Sequence, residues 1–358
     1  MVMTAKATAR PRKRLQNRPD RVRVVDVARY AKCSTATVSR AINEPDTVAP
    51  EMRAKIHGAM HDLGYVRNYA ARALRSQRSH MIGVVIPTLN YAIYAQLVEA
   101  AQRQLSQKGF STLIATFEYD LHAEYQEAQS LLERGAEALV LIGSQHRPEL
   151  YDLLARFEVP FINTYVLEKD SARPSVGFDN AAASAEIVRH LVHIGHREIG
   201  FISGITRDND RTAQRLAGIR CELRRNGLEL PDRLLIERPY SIADGRDALA
   251  EMCSHSGSRP TAIICGNDVL AIGALAECET RGFRVPEDIS IAGFDNLEFA
   301  CHHKPPLTTI DVPAGEMGQR AAQYLLHRLD GIEVATHYPV EVRLIARGTT
   351  APPNSGRM

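Results

Sequence analysis

VVDVARYAKCSTATVSRAIN, residues 24–43, predicts two short helices joined by a tight turn. Apolar side chains recur at helical spacing in both halves and would form one buried face; they are Val24, Val27, Ala28, Ala31, Val38, Ala41 and Ile42. Ser34 is a good N-cap for the second helix, because its hydroxyl can accept a hydrogen bond from an N-terminal amide. The stretch therefore indicates a helical hairpin with one apolar side.

The second helix of this stretch would present short polar side chains and one guanidinium to solvent. These residues are Thr35, Ala36, Thr37, Ser39 and Arg40. The major groove of DNA admits such a helix, whose first residues meet base edges and whose N-terminal amides meet phosphate. The alternative is an ordinary hairpin inside a core, which the basic segment before it and the large separate body after it argue against.

The turn between the two helices carries Lys32 where a glycine would be usual. A left-handed backbone at a lysine costs about 1 kcal/mol relative to glycine.

Composition places the 358-residue chain among globular proteins with two or three domains, since 44% of its residues are apolar. We expect a cytoplasmic protein without a membrane partner, because no apolar run reaches the roughly 18–20 residues of a membrane span and the basic N-terminus does not read as a signal peptide. Six scattered cysteines with no CxxC pair indicate reduced thiols. His190, His193 and His196 are spaced by three, but His196 lies beyond Gly195, so we expect neither a metal nor a cofactor.

The net charge of +2 conceals an asymmetry between the two parts of the chain. Residues 1–80 contain 17 Lys and Arg against 6 Asp and Glu, whereas the remainder contains 27 against 36. This distribution of charge, with a basic N-terminal part and an acidic body, predicts that a polyanionic partner binds at the N-terminal end.

Buried apolar strands alternate with amphipathic helices from Met81 onward, which predicts parallel sheets covered on both faces. There are enough such units for two doubly wound lobes. We predict a disordered basic arm, a DNA-binding domain, a hinge helix with linker, an α/β bilobed effector-binding and dimerisation domain, and a tail, at residues 1–21, 22–66, 67–80, 81–350 and 351–358. The N-lobe would comprise about 81–179 plus 311–331, and the C-lobe about 180–310 plus 332–350.

The chain resembles the lac repressor/galactose repressor family of bacterial transcription factors. The motifs that carry the resemblance include Asp26-Val27-Ala28, Ser34 to Asn43, Asn68 to Leu74, Arg215-Leu216-Ala217-Gly218, Asn267-Asp268, Gly293-Phe294-Asp295 and Pro306 to Ile310. The resemblance implies a helix-turn-helix head and a body built like a periplasmic sugar-binding protein. It also implies that Thr35, Ala36 and Arg40 read bases and that Leu74 wedges into the minor groove beside Arg75. The DNA-contacting residues so predicted are Thr35, Ala36, Thr37, Ser39, Arg40, Asn43, Ala71, Leu74 and Arg75.

A small-molecule site is predicted beyond the carboxyl ends of the strands, where ligands bind in open α/β sheets. The candidate effector-binding residues are Asn90, Tyr94, Ser144, Tyr165, Asn209, Arg215, Tyr240, Asn267 and Asp295. The resemblance assigns Arg215, Asn267 and Asp295 to effector contacts and Tyr240 to ring stacking. Structural alternatives stay open, since Asn267 or Asp268 could only cap a helix and Asp295 could pair locally with an arginine.

Three functions compete at this point. The first is a dimeric repressor that binds a palindromic double-stranded operator and responds to a polar metabolite such as a sugar or sugar acid. The second is a solute-binding protein of sugar-binding type without DNA regulation. The third is an enzyme on an α/β fold, for which we find no P-loop, GxGxxG or nucleophile elbow.

Overall fold

A computed structural model describes residues 22–66, 78–254 and 259–354. The chain separates into two compact units, Met1–Gln77 and Arg78–Met358. The predicted arm and the hinge segment, with Ala71, Leu74 and Arg75, lie outside the described residues. The first unit is called the head below and the second the body.

Three helices form the described part of the head: α1 (Val24–Tyr30), α2 (Thr35–Asn43) and α3 (Pro50–Asp62). They enclose a small core of seven buried residues, namely Val27, Ala28, Ala31, Val38, Ala41, Ile56 and Ala59. Ser34 caps α2 as predicted, because its hydroxyl accepts a hydrogen bond of 3.0 Å from the Thr37 amide. The helix-turn-helix prediction is confirmed.

Lys32 occupies the turn between α1 and α2 with a φ of 53°, in the left-handed region. We expect Lys32→Gly to stabilise the head by about 1 kcal/mol, since glycine adopts this backbone without a Cβ penalty. Amide hydrogen exchange on the full chain should then slow about fivefold in α1 and α2. Exposed Lys55, inside α3, is the matched control, because Lys55→Gly should destabilise the head by a similar amount. Unchanged or faster exchange in Lys32→Gly would contradict the argument.

The first lobe of the body is built on a six-stranded parallel sheet of order β11-β5-β4-β3-β1-β2. Its strands are β1 (Met81–Ile86), β2 (Ser111–Thr116), β3 (Ala136–Ile142), β4 (Phe161–Thr164), β5 (Ser175–Gly177) and β11 (His337–Pro339). The helices that follow the first three strands are α4 (Ala92–Ser106), α5 (Leu121–Glu133) and α6 (Pro148–Arg156).

The second lobe has a four-stranded parallel sheet of order β7-β6-β8-β9. Its strands are β6 (Ile199–Gly204), β7 (Leu235–Arg238), β8 (Ala262–Cys265) and β9 (Ser290–Ala292). The helices connected with these strands are α7 (Asn180–His193), α8 (Asp210–Arg225), α9 (Ile242–Ser254), α10 (Asp268–Thr280) and α11 (Glu298–His302). Two doubly wound parallel lobes are therefore present, as predicted.

The C-terminal part of the chain passes between the lobes. Strand β10 (Thr309–Asp311) pairs antiparallel with β12 (Arg343–Ile345), and α12 (Ala314–Leu329) packs on α4 of the first lobe. The sequence assigned 332–350 to the C-lobe, but His337–Pro339 pairs with β5 of the first lobe. This assignment was wrong because a three-residue edge strand ending in proline carries no apolar pattern that reveals its partner.

Candidate functional site

Helix α2 presents polar and small side chains on the surface of the head. Thr35, Ala36, Arg40 and Asn43 are exposed, whereas Thr37 and Ser39 are half-buried. Thr37 takes part in the cap through a 2.8 Å hydrogen bond with Ser34. The Asn43 side chain donates to the Ser39 carbonyl at 2.9 Å and closes the last turn.

Arg40 is the one cation of α2, and its guanidinium makes no hydrogen bond or ion pair with any residue in the described part of the chain. The Ser34 cap leaves other N-terminal amides of α2 without helical partners, as at every helix start. A helix that combines these donors with a free guanidinium is suited to a polyanion.

A cavity of about 30 Å³ lies between the two lobes of the body. It is lined by Tyr91, Ile93, Tyr94, Tyr119, Tyr165, Asn209, Arg211, Thr212, Arg215, Tyr240, Asn267 and Asp295. Seven of the nine predicted effector residues are among them, and they come from both lobes. The cavity therefore lies at the carboxyl ends of the strands, where sheet topology places it.

Two predicted residues do not line this cavity. Asn90 is exposed in the loop before α4, where the neighbouring Tyr91 turns inward instead. The Ser144 hydroxyl donates to Glu168 at 2.6 Å and its amide donates to Asp210 at 2.6 Å. Ser144 therefore lies at a contact between the lobes.

Sequence reasoning missed Tyr91, Ile93, Tyr119, Arg211 and Thr212 in the cavity wall. Tyr119 follows β2, so the rule that ligand-binding residues lie beyond the carboxyl ends of strands could also have predicted it. Arg211 and Thr212 lie in the first turn of α8, directly after the predicted Asn209. Periodicity alone did not show which side chains of that turn face the cleft.

Arg215 is anchored so that its guanidinium stays in the cavity wall. It donates to Asn180 Oδ1 at 3.0 Å and to the Gly266 carbonyl at 2.8 Å. It also stacks on the Phe294 ring, with its guanidinium carbon 3.7 Å from the ring centroid. A guanidinium fixed by three contacts presents its remaining N–H groups in a set direction.

Asp295 is buried and has a φ of 116°, and its amide donates to the Ile310 carbonyl at 3.0 Å. Within the described ranges no side chain or amide hydrogen-bonds to its carboxylate. Burial raises the pKa of Asp295 to about 7, and the positive charge of Arg215 opposes that rise. A buried carboxyl group on a strained backbone, beside a cavity between two lobes, is typical of a binding site.

The sequence left open whether Asn267 or Asp268 only caps a helix, and the structure shows which of the two does so. Asn267 caps α10 by accepting from the Leu270 amide at 2.9 Å, while it also lines the cavity. Asp268 is the first residue of α10 and does not cap it. Its carboxyl accepts from Thr309 at 2.6 Å and from the Leu297 amide at 2.8 Å. Asp268 therefore ties α10 to β10 and to the residue that precedes α11.

Aromatic rings form much of the cavity wall. Tyr94 and Tyr165 meet edge to face with centroids 5.6 Å apart, and Tyr91 and Tyr240 do so at 5.7 Å. The hydroxyls of Tyr94 and Tyr119 lie 3.2 Å apart. Such rings combined with amide, guanidinium and carboxyl groups suit a polar ligand with an apolar ring face.

The head and the body each resemble a known protein family. Residues 24–68 match the family described as bacterial regulatory proteins, lacI family, and residues 188–350 match a periplasmic binding protein-like domain. The HTH-type transcriptional repressor PurR of Salmonella paratyphi B is 30% identical over 331 residues, covering 92% of this chain and 96% of that protein. The chain belongs to the LacI family. It is a DNA-binding transcriptional regulator, which decides against the solute-binding and enzyme hypotheses.

Solved structures of LacI-family proteins are similar to this protein over 92% of the chain. The lac repressor dimer bound to operator and the anti-inducer ONPF is 29% identical, with a TM-score of 0.82 and coverage of 92% of this chain and 99% of that one. The transcriptional regulator CelR in complex with cellobiose is 26% identical, with a TM-score of 0.68 and coverage of 92% and 100%. Among the described residues, no helix combines the length and apolar content that a membrane span requires.

Proposed function

We propose that this chain is a cytoplasmic repressor that binds a palindromic operator as a homodimer. The observation that carries the proposal is the free, exposed Arg40 on a capped, groove-sized helix. The similarity to the operator-bound lac repressor dimer supports it. Two heads are needed because half-sites one helical turn apart each accept one recognition helix.

We propose further that a small-molecule effector in the cavity between the lobes controls DNA binding. Arg215, Asn267 and Asp295 would bind its polar groups, while Tyr94, Tyr165, Asn209 and Tyr240 would complete the wall. Paired donors and acceptors beside aromatic rings favour a hydroxylated ring compound. The similarity to the regulator CelR, which was solved in complex with cellobiose, supports a carbohydrate ligand.

The DNA-reading residues follow from the same proposal. Thr35, Ala36 and Arg40 would contact base edges, and Thr37, Ser39 and Asn43 would support the helix or contact the backbone of the DNA. Ala71, Leu74 and Arg75 of the hinge stay a proposal from the resemblance, since they lie outside the described residues.

Arg40→Ala tests the proposed register of the recognition helix. We expect it to reduce discrimination at one base pair of each half-site by about 1–3 kcal/mol, because a guanidinium in the major groove reads one base edge. Selection of binding sites from a randomised duplex library, for the full chain and the variant, measures the preference.

The matched control is Arg53→Ala on α3, since the guanidinium of Arg53 lies 3.6 Å from Asp46 within the head. This variant should keep the base preference, even if it weakens binding to all sequences alike. An unchanged preference in Arg40→Ala would contradict the register, and a failure of the unmodified chain to select any palindrome would contradict the proposed function.

A further inference from the structure

The free space between the lobes is far smaller than a small-molecule site. It amounts to about 30 Å³, which is roughly the share of one molecule in liquid water, whereas small-molecule sites usually measure roughly 300–1,000 Å³. A second space of about 440 Å³ lies next to it and is bounded by exposed residues such as Glu118 and Arg207. A ring compound can therefore reach Arg215 and Asp295 only after protein groups have moved.

Three tyrosine rings separate the inner cavity from this outer space. Tyr91, Tyr119 and Tyr240 line both of them. The ring centroid of Tyr240, in the second lobe, lies 5.7 Å from that of Tyr91 and 6.2 Å from that of Tyr119, both in the first lobe. The rings therefore meet across the cleft and close the inner cavity.

Two of these three tyrosines are anchored within their own lobes. The hydroxyl of Tyr240 is hydrogen-bonded with that of Thr212, and the Tyr240 side chain is buried. Its ring lies against Gly204, where a Cβ would come 2.1 Å from the ring carbon Cζ. Tyr91 is tied to the start of α4, because its carbonyl accepts a hydrogen bond of 3.1 Å from the Tyr94 amide.

Tyr119 lies instead on a strained turn between β2 and α5. Glu118 and Tyr119 have φ values of 49° and 62°, and the Asp120 amide donates to the Phe117 carbonyl at 2.9 Å. Two left-handed central residues closed by this hydrogen bond are typical of a type I′ turn, which favours asparagine and glycine at these positions. Because neither residue is a glycine, contacts elsewhere must hold the turn in this conformation.

The side chain of Tyr119 supplies such contacts. Its hydroxyl lies 3.2 Å from the hydroxyl of Tyr94, and its ring meets that of Phe117 with centroids 6.4 Å apart. The third contact, with the Tyr240 ring, comes from the opposite lobe. Separation of the lobes removes this third contact, so the strained turn can then relax and carry the Tyr119 ring away from the cavity.

We propose that Tyr119 is a gate to the space between the lobes. Its ring blocks that space while the lobes are together, and it leaves when the turn at 117–120 relaxes. The inference rests on the proposed effector site and adds how access to that site is controlled. Its test uses no effector, so the gate can fail while the proposed function stands.

Hydrogen exchange of the Asp120 amide in the full chain measures opening of the turn, because the bond from this amide to Phe117 must break first. Glu118→Gly should slow the exchange about fivefold, or ~1 kcal/mol, since glycine adopts the left-handed backbone without a Cβ penalty. Tyr119→Ala should speed it at least about tenfold through loss of the ring contacts. Asp210→Ala, which removes a contact between the lobes from the opposite side, should speed it as well.

Two matched controls separate the gate from general changes in stability. Glu158 is also left-handed, with a φ of 50°, but it lies beyond the end of α6 and lines neither space. Asp288 pairs with Arg284 inside the second lobe. Glu158→Gly and Asp288→Ala should leave exchange of the Asp120 amide unchanged. Exchange that does not respond to Asp210→Ala, or that responds equally to the controls, would overturn the gate.

A second measurement asks whether the Tyr119 ring fills the space that a ligand would take. The probe is p-cresol, which is the tyrosine side chain without its backbone. Calorimetry should show saturable binding of millimolar p-cresol to Tyr119→Ala and none to the unmodified chain, because an enclosed space left by a deleted ring can take up a small aromatic molecule. Tyr30→Ala is the control, since Tyr30 is 55% exposed and its removal leaves no enclosed space. Absence of binding to Tyr119→Ala, or equal binding to Tyr30→Ala, would also overturn the gate.

Discussion

Asp295→Asn is expected to abolish the effector response while operator affinity without effector is kept. The buried carboxylate accepts no hydrogen bond within the described ranges and lines the cavity, so ligand hydroxyls would be its donors. Hydrogen bonds to a charged group contribute about 1.5–3 kcal/mol each, so losing two should weaken the effector at least about 100-fold. Calorimetry for the effector and fluorescence anisotropy for operator DNA measure the two affinities separately.

Asp330→Asn is the control for this variant, because Asp330 is exposed at the end of α12 and is not among the residues that line the cavity between the lobes. It should change neither affinity. A normal effector response in Asp295→Asn would remove Asp295 from the site.

The same carboxyl group predicts a pH dependence of effector affinity. Burial raises the pKa of Asp295 to about 7, while the groups that face it are the Arg215 guanidinium, the Asp268 carboxyl and the Tyr165 hydroxyl. If the ligand donates to the ionised form, affinity is full above this pKa and falls about tenfold per unit as the pH drops below it. Asp295→Asn should lose this dependence, and affinity that rises toward acid pH would contradict the assignment.

Asp210→Ala is expected to weaken the effector about 10- to 100-fold by separating the lobes that form the cavity. The Asp210 carboxylate of the second lobe accepts from the Ser144 amide at 2.6 Å, the Ser144 hydroxyl at 3.0 Å and the Gln145 amide at 3.3 Å in the first. The Arg211 guanidinium also donates a hydrogen bond of 3.1 Å to the Ile142 carbonyl. The lobe-bridging cluster, defined as Asp210, Arg211, Ser144 and Gln145, thus joins the end of β3 to the start of α8.

Electrostatics agree with this bridging role. Burial raises the pKa of Asp210, but Arg211 and the Ser144 donors outweigh burial and hold the pKa below its usual range. The carboxylate is therefore charged at neutral pH and binds its donors in that form. A Cβ at Gly143, whose φ is 86°, would lie 2.0 Å from the Arg211 guanidinium, so Gly143→Ala should have the same effect as Asp210→Ala.

The control for the bridging cluster is Asp288→Ala, which breaks an Asp–Arg pair with Arg284 inside one lobe. Calorimetric titration of the full chain should show weaker effector binding in Asp210→Ala and Gly143→Ala and unchanged binding in Asp288→Ala. An equal loss in all three variants would show a general loss of stability and contradict the bridging role.

Much of the molecule could be predicted from local patterns. The spacing of Val27, Ala31, Val38 and Ala41, with the Ser34 cap, predicted the head, because helix periodicity and capping are properties of neighbouring residues. The lobes followed from alternating apolar strands and helices, and seven cavity residues followed from the carboxyl ends of those strands. The sequence assigned His337–Pro339 to the wrong lobe, because its pairing partner, β5, is distant in sequence.

The sequence by itself determined the helix-turn-helix head, the two parallel α/β lobes and the edge of the sheets at which a ligand binds. Only the tertiary structure decided that Ser144 lies in a contact between lobes, that Asn90 faces solvent and that Arg211 and Tyr119 complete the cavity. Periodicity fixes which face of an element is buried, whereas the meeting of two lobes depends on packing between residues far apart in the chain. Whether a residue lines the cleft depends on how the opposite lobe packs against its own lobe. No local sequence pattern indicates that packing.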